Sequence, residues 1–90
     1  MNNYETLARA IVKHQESIVG PLAWSEAQKV TGLVVKDEEV VISGTGMKVL
    51  EDLVRQYEAL FGQASVEACK DAIRPLVPKL QGVEIPQILQ

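Results

Sequence analysis

The sequence predicts an α+β fold, mostly helical, in which two pseudo-repeated helical hairpins flank a short central β-hairpin in the order α-α-β-β-α-α, followed by a C-terminal tail. Three observations lead there. The second half echoes the first: Leu7 to Val30 slides onto Val49 to Ala72, placing Leu7 on Val49, Ile11 on Leu53, Val12 on Val54, Lys13 on Arg55, Ile18 on Leu60 and Val19 on Phe61. Each copy carries a glycine stop at the same place, Gly20 and Gly62. Between the copies the helical periodicity gives way to β-branched residues around a charged turn, Leu33 to Ser43. Only Val12/Val54, Glu16/Glu58 and Gly20/Gly62 are identical pairs. The rest is agreement of apolar and polar type, which helical periodicity alone imposes in part.

Each element follows from local chemistry. Tyr4, Leu7, Ala8, Ile11, Gln15, Ile18 and Val19 fall on one face at helical spacing, predicting a first helix from about Asn3 to Val19. Gly20 closes it in the left-handed conformation, and Pro21 suits the first turn of a second helix, about Pro21 to Val30, ended by Thr31-Gly32. In the hairpin, Leu33 and Val35 share one face and Val34 and Lys36 the other. Its turn contains no Asn-Gly or Asp-Gly pair, so type and register stay open. Ser43-Gly44-Thr45-Gly46 leads into a third helix with Thr45 as N-cap and Met47, Leu50, Leu53, Val54, Tyr57, Leu60 and Phe61 on its apolar face. A fourth helix starts near Ala64, turns Val66, Cys69, Ala72, Ile73 and Leu76 inward, and ends or kinks at Pro75. Residues 1–77 read as one domain with the β-hairpin at about 33–43. Residues 78–90, with Pro78, Gly82 and Pro86, read as a loose or extended tail. Val83, Ile85, Ile88 and Leu89 give that tail the means to dock on the core or on a partner.

Composition bounds the function. Of 90 residues, 47% are apolar, enough for a packed core, and four aromatics make that core aliphatic. So short a chain has a thin stability margin, and a second copy is one way to complete its core. Twelve acidic residues against nine scattered basic ones give a net charge of −3 with no basic run, which argues against nucleic acid as a partner. The element order resembles in outline that of a winged helix-turn-helix. The would-be recognition helix, Pro21 to Val30, nevertheless offers one lysine and one glutamate amid apolar groups, a poor major-groove face. No apolar run approaches the ~20 residues a membrane span needs. The opening Met1-Asn2-Asn3-Tyr4-Glu5 lacks the basic and apolar regions of a signal peptide, so the expected location is the cytoplasm.

The candidate sites are few. Ser43-Gly44-Thr45-Gly46-Met47-Lys48 puts a glycine-rich turn and a lysine at a helix start, an anion-site candidate comprising Gly44, Thr45, Gly46 and Lys48. Its spacing matches neither the phosphate-binding loop nor the dinucleotide motif. His14 is the only histidine and Cys69 the only cysteine, too few for a zinc site or a disulfide. No nucleophile, base and orienting group assemble from the sequence. The prediction is therefore a non-catalytic protein without cofactor or metal: a self-associating or protein-binding regulatory module, with Trp24, Tyr57, Leu33, Val35, Val40 and Ile42 as interface or pocket residues. The alternative is a small-molecule sensor whose pocket is lined by Tyr57, Trp24, Cys69 and His14.

Overall fold

In the computed structural model, which describes Asn2–Gln90, α1 runs Asn3–Val19 and begins at a capping box. The Asn2 side chain accepts from the Glu5 N–H at 2.8 Å, and Glu5 Oε1 accepts from the Asn2 N–H at 2.9 Å. Two of the free donors at the helix start are thus satisfied by the sequence itself. Then come α2 (Leu22–Ala27), β1 (Leu33–Lys36), β2 (Glu39–Ile42), α3 (Gly46–Phe61) and α4 (Gln63–Ile73). The chain is α+β and mostly helical, in the expected order α-α-β-β-α-α.

The two halves are built alike. Leu7, Ala8, Ile11, Val12 and Gln15 are the buried residues of α1, and Val49, Leu50, Leu53, Val54 and Tyr57 those of α3. These are the same five positions of the repeat. The junctions correspond as well. The Gly20 N–H donates to Glu16 O and the Gly62 N–H to Glu58 O, both at 2.8 Å. Ala23 N–H then donates to Gly20 O at 3.0 Å, and its repeat mate Ser65 N–H to Gly62 O at 3.1 Å. Gly20 has φ 75° and ψ −156°, and Gly62 φ 82° and ψ −169°. That is the extended region at positive φ, open to glycine alone, rather than the left-handed helical geometry predicted for Gly20.

One boundary moved, and two others stand close to where they were expected. The second helix stops at Ala27 instead of Val30, because Lys29 N–H donates to Glu26 O and Val30 N–H to Ala27 O in tightened turns. Those turns swing the chain into β1, where Leu33 N–H bonds Val30 O. α4 ends at Ile73 with Arg74 as its cap, two residues before Pro75, as the missing donor of proline requires. Thr45 stands at the N-cap of α3, but its side chain makes no capping bond.

The hairpin is antiparallel, pairing Leu33 with Ile42, Val34 with Val41, Val35 with Val40 and Lys36 with Glu39. A two-residue turn, Asp37 (φ 51°) and Glu38 (φ 65°), connects the strands. Both residues sit at positive φ, the type I′ geometry that matches strand twist. Basic side chains of α1 hold this turn: Arg9 Nε donates to Glu38 O at 3.0 Å, and Lys13 Nζ lies 2.9 Å from Glu38 Oε1.

The C-terminal segment is not loose. It carries 3₁₀ turns at Val77–Lys79 and Gln87–Leu89, and the second of these packs on α3 and α4. The Tyr4 hydroxyl donates to Glu84 O at 2.9 Å, and Leu89 is buried. Of the two fates open to residues 78–90, docking on the core prevails: Leu89 enters the cluster that holds Leu50, Leu53 and Ile73.

Candidate functional site

The residues expected at an interface or pocket face the protein's own interior. Leu33 and Val40 are buried, Val35 and Ile42 pack half-buried against the same core, and Tyr57 is wholly enclosed. The Tyr57 hydroxyl donates to Ala23 O at 2.7 Å, and desolvation pushes its pKa far up, so the phenol stays neutral and serves structure. Trp24 lies half-buried against the core, and its indole N–H is enclosed without a partner among the described residues.

Tyr57 has a counterpart. Gln15, its repeat mate, is also buried, and its Nε2 donates to Ser65 O at 3.0 Å. Ser65 is in turn the repeat mate of Ala23. Each half therefore sends one side-chain donor into the backbone of the other half's second helix, at equivalent positions. Gln15 Nε2 also lies 3.3 Å from Cys69 Sγ. Burial pushes the Cys69 thiol up to about 11, opposed by this hydrogen bond. A neutral, enclosed thiol is a poor nucleophile, and its polar neighbour is Gln15 rather than His14. Of the four residues expected to share a pocket (Tyr57, Trp24, Cys69 and His14), none lines the groove walled by Ile73 and Leu89, the one walled by Gln15 and Phe61, or the one walled by Met47 and Glu51.

At the anion-site candidate, the lysine and glycine features have local explanations. Lys48 Nζ is 2.7 Å from Asp52 Oδ1, and that bond raises the lysine's pKa. Gly46 is glycine because a Cβ there would sit 2.6 Å from Cγ of the Tyr4 ring. Glu51 lines the same groove, so Lys48 brings no surplus positive charge to it. Among the described residues, no three His, Cys, Asp or Glu side chains gather to hold a metal ion, and no helix is long and apolar enough to cross a membrane.

Among the described residues, buried charge is confined to one place. Glu26 is almost enclosed, accepting from Lys29 Nζ at 2.9 Å and from Gln56 Nε2 at 2.8 Å. Those two bonds, Lys29 first, hold its pKa below the usual carboxylate value. The pair ties α2 to α3 and leaves no proton to exchange near neutral pH.

Two features stand clear of the core. One is a groove of about 480 Å³ between α4 and the C-terminal segment, with Ile73, Val77, Ile85 and Leu89 on its apolar wall and Glu67, Lys70 and Arg74 on its rim, where Lys70 pairs with Glu67 and Arg74 with Asp71. The other is the outer face of the β-hairpin. Val34 and Val41 are cross-strand partners, and each is 56% exposed. The sequence reading chose the opposite face, since both faces of Leu33–Val35 and Val40–Ile42 are apolar. The missed signal is that Lys36 and Glu39 share a face with Val34 and Val41, and charge marks the side turned to solvent. The chain matches no known protein family, no curated protein and no solved structure.

Proposed function

We propose that this protein is a non-catalytic interaction module that works by associating with a second copy of itself. The observation that carries the reading is the Val34/Val41 face. Two β-branched residues stand more than half exposed, side by side, on a hairpin that has only one face covered. A two-stranded ribbon depends on packing against other elements, and the outer face is the side of this one that no element of the chain covers. The chemistry of the side chains agrees: the polar partner of Cys69 is Gln15, the thiol is buried and neutral, and the enclosed carboxylate is already paired. Light scattering over a concentration series tests the reading. A mass rising toward twice 9.9 kDa supports it, and a constant monomer mass up to millimolar concentration refutes it.

A second reading, small-molecule binding, is favoured by the groove between α4 and the C-terminal segment. Its apolar wall suits a short alkyl chain, and a ligand carboxylate would compete with Asp71 for Arg74 at the rim. A medium-chain fatty acid that raises the melting temperature of wild type, but not of Arg74→Glu, supports this reading; no shift refutes it.

A further inference from the structure

The outer face of the hairpin is self-complementary in charge as well as in apolar surface. Its four side chains form two cross-strand rows, Val34 beside Val41 and Lys36 beside Glu39. Strand alternation puts all four on the side away from Leu33, Val35, Val40 and Ile42. Lys36 has no carboxylate within ion-pair distance among the described residues, although seven other cations do. Glu39 is 63% exposed and only 4.0 Å from Arg9, a loose contact.

We infer that two copies stack these faces about a two-fold axis running parallel to the strands, so that each β1 lies over the partner's β2. This rests on the self-association reading above and specifies its surface and register. The rotation sets Val34 against the partner's Val41 and Lys36 against the partner's Glu39, each contact occurring twice. An isologous interface requires such self-matching of one patch, and the hairpin meets it because the two-residue turn places the opposite charges directly across from one another. A two-fold axis across the strands through the valine row sets the charged row of one copy over Gly32 and Ser43 of the other and leaves the charges unpaired, and one through the charged row sets like charge over like. Aligned sheets stack about 10 Å apart, within reach of valine side chains and a lysine–glutamate pair. Four residues a side fall well short of the roughly 800 Å² per partner of a standard interface. The dimer is accordingly a weak one.

The test uses the full-length chain in sedimentation equilibrium. Lys36→Glu makes the outer row wholly acidic and Glu39→Lys makes it wholly basic. Each variant alone should associate at least tenfold more weakly than wild type, whereas an equimolar mixture of the two should recover dimer mass. Val34→Thr keeps the β-branched shape and removes apolar surface, so it should weaken association with the circular dichroism spectrum unchanged. Single variants that dimerise like wild type overturn this interface and leave self-association through another surface standing. Monomeric variants whose mixture stays monomeric overturn the register. A wild type that never dimerises overturns both this inference and the reading beneath it.

Discussion

The first and second helical hairpins reach the same backbone arrangement with different side chains at its centre. Both junctions use a glycine at positive φ, the same acceptor glutamate and the same return hydrogen bond. Both long helices bury the same five repeat positions. At the last of these, however, α1 carries Gln15 and α3 carries Tyr57. Each reaches the other half's backbone, at 3.0 Å and 2.7 Å. The amide has Cys69 beside it, 3.3 Å from its Sγ, whereas the larger phenol belongs to the half in which the repeat mate of Cys69 is the smaller, buried Ala27. The comparison shows that the repeat preserves a bonding scheme and redistributes volume across it. A large residue on one side is matched by small ones on the other, as close packing demands.

The largest expected effect comes from removing that volume. Tyr57→Ala should cost about 3–5 kcal/mol, the usual range for an aromatic deleted from a core. Gln15→Ala, which removes one buried hydrogen bond from a Ser65 carbonyl that α4 still bonds, should cost about 0.5–1.5 kcal/mol. Urea unfolding of both variants measures the difference, and equal costs would break the claim that volume is unequally shared. Next come the glycines. A Cβ at Gly20 or Gly62 meets nothing within 4 Å, so alanine at either site incurs backbone strain only, about 1–3 kcal/mol. The two costs should agree within about 0.5 kcal/mol; a wider gap in melting experiments would show that the junctions are alike in geometry and unlike in energy.

The smallest effect concerns the helix starts, where the halves differ outright. Glu5 aligns with Met47, so only α1 has a carboxylate there. Glu5 Oε2 accepts from the Ile42 N–H at 2.8 Å, binding β2 to α1. That bond, and then the one from Asn2, hold the Glu5 pKa below 4.5. A group with a depressed folded pKa contributes stability above its unfolded value, and loses it as pH falls through the folded value. The melting temperature should thus be flat near neutrality and fall below about pH 4.5. Glu5→Gln should lower it at pH 7 and flatten the acid limb. An unchanged acid limb in the variant would assign it to other carboxylates.

Much of the fold was legible because its signals are local. α1 ends where Gly20 stops it, α4 ends before Pro75, and the hairpin lies where the β-branched residues cluster. The candidate site was less legible. Alternation divides Leu33–Lys36 into two faces, but with valine on both, periodicity cannot say which one a helix will cover. Packing of α1 along β2 made that choice, and it turned Val34 and Val41 outward. The C-terminal segment was ambiguous for a similar reason. Proline and glycine forbid a long helix there, yet do not tell whether Leu89 finds a cavity to fill.

By itself, then, the sequence determined the order and most bounds of the elements, the two glycine junctions and the equivalence of Leu7–Gln15 with Val49–Tyr57. Propensity, capping and periodicity act over a few residues and need no distant partner. Only the tertiary structure decided the pairing of Gln15 with Ser65 and Tyr57 with Ala23, the face of the hairpin left to solvent and the docking of Leu89. Those outcomes depend on which surfaces meet when chain segments distant in sequence compete for the same buried volume.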